Sequence, residues 1–204
     1  MKSKYNLLIK IILLAVLVIL PVSVFAAGAK DTVEAQINKM LAQMQTPEYK
    51  AMDREGKLDV IRKVINEVFD YEELSKRTLG REWRKFNPDQ QKEFVSLFAK
   101  LLEDVYADRI LAYTHEKIDF GKETELAKGR VEVESYIITT DNKKVPLFYR
   151  LTNEGGQWKV YDVVIEGVSM VKNYRGQFRE LLSKDNPEEL LKTLRDKVKQ
   201  KPAS

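Results

Sequence analysis

The sequence predicts an α+β domain: a twisted antiparallel meander of about four strands, wrapped by helices that precede and follow it in the chain. Three observations carry this expectation. Apolar residues recur every three or four positions up to about residue 113, and again beyond residue 167. Between about 117 and 166 the alternation has period two, and the composition turns to Val, Ile, Tyr and Phe. Two polar tetrapeptides, Asp141-Asn142-Lys143-Lys144 and Asn153-Glu154-Gly155-Gly156, divide that region at hairpin spacing.

The first 26 residues of the 204 are of a different kind. Lys2, Lys4 and Lys10 give a basic start, Ile11 to Leu20 is apolar, Pro21 interrupts, and Val24-Phe25-Ala26 suits cleavage after Ala26. These are the parts of a secretory signal peptide. The apolar stretch from Leu7 to Leu20 is 14 residues long, whereas a spanning helix needs ~20. The chain has no cysteine, so it offers no site for a lipoprotein anchor and no disulfide staple. Residues 27–204 are then one domain with room for one sizeable core.

Removing the leader changes the electrostatics. Three of the 35 Lys and Arg residues leave with it, and the remaining 32 nearly balance the 31 acids. A balanced chain has no net field to gather a polyanion, so nucleic acid is not an expected partner. The absence of a coiled-coil heptad points to a monomer.

The helices are expected in order. Val33, Ile37, Leu41 and Met44 mark one over 30–45, and Leu58, Ile61, Ile65 and Val68 another over 57–69, with Thr46-Pro47 and Gly56 as breaks. Asp70 caps a short helix, with Glu73 as the reciprocal capping-box partner and Gly80 just past its end. Asn87-Pro88-Asp89-Gln90 starts a long helix that reaches about Tyr113. A weaker strand, Lys117 to Gly121, precedes strands over 130–140, 145–151 and 157–166. Pro146 lacks a donor and belongs near a strand start. Helical spacing returns over 168–183, and Asn186-Pro187 starts a last helix carrying Leu190, Leu191, Leu194 and Val198.

No phosphate loop, nucleophile elbow or zinc-protease pair is present. His115 is the single histidine, at a helix-to-strand corner, where a cap or an exposed role competes with that of a general base. Asp162 and Glu166 sit among apolar residues of the last strand and could titrate as acid or base. Strict alternation instead places Asp162, Val164 and Glu166 on an outer face, and Tyr161, Val163 and Ile165 on the inner one. Those inner residues join Val145, Leu147, Tyr149, Leu151, Val131, Val133 and Ile137 in a continuous apolar sheet surface. Such a surface is either packed core or one wall of an apolar slot with Tyr106, Tyr113, Tyr149 and Tyr161 at its wet mouth. Composition does not separate the two.

Two segments carry a family resemblance. One runs from Tyr71-Glu72-Glu73-Leu74-Ser75 to Trp83-Arg84, followed by Asn87-Pro88-Asp89-Gln90; the other is Tyr161-Asp162-Val163-Val164-Ile165-Glu166-Gly167-Val168-Ser169, continuing to Asn173-Tyr174-Arg175. Both resemble the MlaC family of periplasmic phospholipid-binding proteins, and the order of elements matches over essentially the whole domain. Residues 27–57 do not align. The resemblance implies an apolar cavity between sheet and helices, phospholipid as cargo with no cofactor, and a periplasmic location. It also implies shuttling between an outer-membrane lipoprotein complex and an inner-membrane ABC transporter with an MCE-domain ring. Carried over by position, it implies acyl-chain contacts at Tyr106, Leu147, Tyr149, Val163, Ile165 and Val168, with Leu79 and Trp83 as cavity neighbours. The rivals are a small cone-shaped α+β enzyme using Asp162 or His115, and a chaperone or adaptor that lays polypeptide in the groove.

Overall fold

A computed structural model describes residues 28–113, 116–184 and 186–199. The expected signal peptide and His115 lie outside these residues. Four helices come first: α1 (Ala29–Met44), α2 (Pro47–Ala51), α3 (Arg54–Val68) and α4 (Tyr71–Leu79). A 3₁₀ helix (Gly80–Lys85) leads to the long α5 (Pro88–Leu111). The sheet follows, as β1 (Lys117–Ala127), β2 (Arg130–Ile138), β3 (Lys144–Glu154), β4 (Gln157–Ile165) and β5 (Val168–Ser169). Helices α6 (Met170–Lys184) and α7 (Pro187–Lys199) close the chain. The strands lie in chain order, each antiparallel to the next, so the fold is the expected α+β meander with one more strand.

Local chemistry sets the helix starts. Asn87 accepts the Gln90 amide at 3.0 Å, and the Gln90 side chain accepts the Asn87 amide at 3.1 Å, which closes a full capping box. Asp70 caps α4 by accepting the Glu73 amide at 2.8 Å. Glu73 does not return to Asp70 as expected; its carboxylate pairs with Arg77 at 2.6 Å. An ion pair one turn along the helix competes successfully for the same carboxylate. Gly80 ends α4 at φ 58°, a conformation that a side chain would strain.

The strands depart from expectation in three places. Strand β1 runs on past Gly121 to Ala127, because its charged second half is an edge with irregular pairing around Gly121 and Lys122. After Ile165 the chain turns through Glu166 and Gly167, both at positive φ, and Val168–Ser169 pairs back onto β4. Helix α6 therefore starts at Met170, not at Val168. The largest departure is in β4, where Arg150 pairs with Asp162 but Leu151 pairs with Val160, leaving Tyr161 as an extra residue. This bulge resets the alternation. Tyr161 leaves the apolar surface expected for it and lies under the Arg77 guanidinium, 4.0 Å from its ring centroid.

One end of the molecule is densely packed. Phe94 and Phe98 of α5 meet Tyr174 and Phe178 of α6 with ring centroids 5.1 to 5.7 Å apart, several of the pairs edge to face. Leu190, Leu191 and Leu194 of α7 are fully buried against this cluster. Arg195 clamps α7 to α5 through Glu93, at 2.6 and 2.9 Å. A smaller core of Met44, Tyr49 and Ile61 forms where α1, α2 and α3 meet the end of α5.

Candidate functional site

Between these two cores the layers do not close. A cavity of about 1040 Å³ separates β3 and β4 from α1, α3 and α5. That is the upper end of the ~300–1,000 Å³ range of small-molecule sites. The sheet wall is built by pairing: Leu147 stands opposite Ile165 and Tyr149 opposite Val163, so four apolar side chains share one face. Val160 joins them because the Tyr161 bulge turns it to the same side. Tyr106 and Ile110 come from α5, and Val33 and Ile37 from α1 at helical spacing. Leu58 and Ile65 of α3 complete the opposite wall.

Of the residues expected at the site, Tyr106, Leu147, Tyr149, Val163 and Ile165 all line this cavity. The other three do not. Leu79 is buried in the closed core, at the end of α4, and Trp83 packs against that core from the 3₁₀ helix. Val168 pairs with Ile165 but is 58% exposed, because the tight turn at Glu166 and Gly167 carries it off the wall. Sequence reasoning missed the walls from α1 and α3. Their apolar stripes were legible, but nothing in a stripe tells whether it faces a neighbour or a void.

Polar side chains interrupt the apolar lining, among them Gln36, Arg62, Asn66, Ser96 and Glu103. Arg62 of α3 reaches the Glu103 carboxylate on α5 with two nitrogens, one at 2.9 Å, and also meets Asp59. This pair bridges the seam between the two helices on the cavity wall. Burial pushes the Tyr71 hydroxyl up to about 12, with the Glu103 charge adding to the effect. The Tyr149 hydroxyl is held well above the ordinary tyrosine value by burial alone. The Gln36 amide oxygen is buried on the α1 wall without a hydrogen-bond partner among the described residues.

Asp162 does not belong to this site, nor to the outer polar face expected for it. Its side chain is buried, at 2% exposure. One carboxylate oxygen accepts the Ser169 hydroxyl at 2.6 Å and Arg150 at 3.2 Å; the other accepts the Val171 amide at 3.0 Å. Ser169 in turn accepts the Lys172 amide at 3.1 Å. Asp162 thus fixes the start of α6 to the sheet, and its acceptor positions are filled by protein donors.

The fold and this hollow define a class: a helix-wrapped antiparallel sheet built around one large, mostly apolar pocket. The chain belongs to the MlaC family, whose model, described as MlaC protein, matches residues 34–196. It is 26% identical over 186 residues to the toluene tolerance protein ttg2D of Pseudomonas putida, covering 89% of this chain and 86% of that one. It is 26% identical over 170 residues to the intermembrane phospholipid transport system binding protein MlaC of Haemophilus influenzae, covering 80% and 78%. Among solved structures, a phospholipid-binding protein from Ralstonia solanacearum in complex with a phospholipid matches at TM-score 0.78 and 24% identity. That match covers 85% of this chain and 98% of the other, and it shows a shared fold.

Proposed function

We propose that this chain is a periplasmic phospholipid carrier. It holds its cargo by the acyl chains and passes it between an outer-membrane lipoprotein complex and an inner-membrane ABC transporter with an MCE-domain ring. The cavity carries this reading: a largely apolar space of about 1040 Å³ enclosed between β3, β4 and helices α1, α3 and α5. The names of the relatives from Haemophilus and Ralstonia, one a phospholipid transport protein and one a phospholipid complex, agree with it. Tyr106, Leu147, Tyr149, Val163 and Ile165 are the proposed acyl-chain contacts. Each buried methylene contributes ~0.8 kcal/mol, so a plain apolar wall suffices for tight holding, and release requires a partner or an opening of the shell. No described helix is long and apolar enough to cross a membrane.

Native mass spectrometry of the mature protein from periplasm, with extraction of what it holds, tests the proposal. Phospholipid adducts on a monomer are the expected result. A protein that is empty as isolated, and still empty after incubation with phospholipid vesicles, overturns it.

A further inference from the structure

Four arginines and a lysine gather on the outside of the packed end. Lys172, Arg175 and Arg179 recur at helical spacing along α6, and all three are exposed. The 3₁₀ helix packs against α6. Arg81 and Arg84, both exposed, stand three residues apart on it, which puts them on one side of so tight a helix. The two groups meet at Gly80, where a Cβ would lie 3.9 Å from Arg175 Nε. Arg175 is held there by the Arg77 carbonyl, which accepts from its Nε at 3.0 Å. The nearby acids are already taken: Glu72 pairs with Lys76, Glu73 with Arg77 and Glu82 with Lys85. Arg81, Arg84, Lys172 and Arg179 have no carboxylate partner among the described residues. In a domain whose charges nearly cancel, five cations on one face are a local excess that an acidic surface would neutralise.

We propose that this face docks a partner protein through carboxylates that the partner presents. Arginine predominates over lysine here, and its planar fork suits bidentate pairing with carboxylates at protein interfaces. A lipid surface would favour apolar anchors beside the cations, but the exposed large apolar residues, Met52, Val105, Leu126 and Val168, lie on neither of these helices. Gly176, between Lys172 and Arg179 on the same face, has open space where a side chain would stand, so a partner can approach the α6 backbone closely. The buried side of α6 is the aromatic core of Tyr174 and Phe178. A partner docked here grips the packed end of the molecule and not the hollow one.

The chain has no cysteine, so Gly176→Cys offers a single site for a benzophenone cross-linker in the middle of the face. The labelled protein is mixed with unsealed membrane fragments of the cell that makes it, either untreated or shaved of exposed protein by protease, and its retention is measured. It is expected to bind untreated fragments about tenfold more tightly than shaved ones and to lose that margin in raised salt. Its cross-link is expected in an acidic segment of one polypeptide. Arg81→Glu/Arg84→Glu/Arg179→Glu, which leaves Arg175 in place, is expected to bind untreated fragments about tenfold more weakly and to lose the cross-link. The same variant is expected to keep the wild-type far-ultraviolet spectrum and phospholipid content. Equal retention on shaved fragments assigns the face to anionic lipid and overturns the proposal. Unchanged retention of the charge-reversed protein, or no retention of the wild type, overturns it as well. None of these outcomes touches the carrier reading, which fails separately if the wild type holds no phospholipid.

Discussion

The carboxylate of Asp162 accepts the hydroxyl of Ser169 at 2.6 Å, and through this pair the first turn of α6 is fixed to the fourth strand. The same carboxylate shares Arg150 with Glu132, so three donors converge on one buried acid. Asp162→Ala leaves the Ser169 hydroxyl and the Val171 amide without their partner, while Arg150 keeps Glu132 at 2.8 Å, and is expected to cost more than ~2 kcal/mol, at about 1–3 kcal/mol for each buried donor left unsatisfied. Asp162→Asn keeps part of the network and is expected to cost about 1–3 kcal/mol. Urea unfolding monitored by circular dichroism measures both. A loss under ~0.5 kcal/mol for the alanine variant would remove Asp162 from its structural role.

A charge on the cavity wall should expel an acyl chain without unfolding the shell. Leu147→Glu and Tyr106→Glu are each expected to lose co-purifying phospholipid while keeping the wild-type far-ultraviolet spectrum. Both side chains face the hollow and are only partly buried, so the new carboxylate has open space in which to hydrate. Full phospholipid content in both variants would rule out this cavity as the cargo site.

Packed and hollow regions should respond differently to the same kind of truncation. Phe98 is buried at 1% exposure among three aromatic rings, and Phe98→Ala is expected to cost about 3–5 kcal/mol. Leu147→Ala enlarges a space that already exists, and in the empty protein it is expected to fall at or below the lower end of the ~2–5 kcal/mol range for leucine. Equal losses at the two sites, measured by chemical unfolding of delipidated protein, would mean that the cavity closes when it is empty.

The buried tyrosines set an alkaline limit. Burial raises the Tyr149 hydroxyl in the folded protein, so its contribution changes only above the unfolded tyrosine value of ~10. There the unfolded chain has lost the proton that the folded chain keeps, and stability falls as pH rises, by up to ~1.4 kcal/mol per pH unit per group. Tyr71, pushed up to about 12, adds to the fall until its own folded value is passed. Tyr149→Phe is expected to flatten the decline above pH ~10 and leave neutral stability little changed. Unfolding curves at stepped alkaline pH check this, and an unaltered slope would place Tyr149 in water.

Where local chemistry decides, the structure was legible in advance. Asn87, Pro88 and Gln90 announce the start of α5, and the two polar tetrapeptides announce the hairpins on either side of β3. The family resemblance carried five of the eight named wall positions onto the cavity. What was hidden depended on neighbours distant in sequence. The bulge at Tyr161 follows from how β3 and β4 pair, and no alternation rule applied to β4 alone could reveal that Tyr161 leaves the inner face or that Asp162 is buried. Val168 was misplaced because its position follows from the two positive-φ residues before it.

The void has a consequence for the lifetime of the molecule. Side chains that line an empty space forgo the dispersion contacts that Phe94 or Leu191 enjoy, so the unloaded shell is the looser form. A ligand that fills the space stabilises the folded state by mass action, in proportion to the logarithm of its free concentration over its dissociation constant. Proteolysis that acts on transiently opened chains would then remove empty molecules faster than full ones. The amount of this protein that persists in a compartment would track how much cargo is available there.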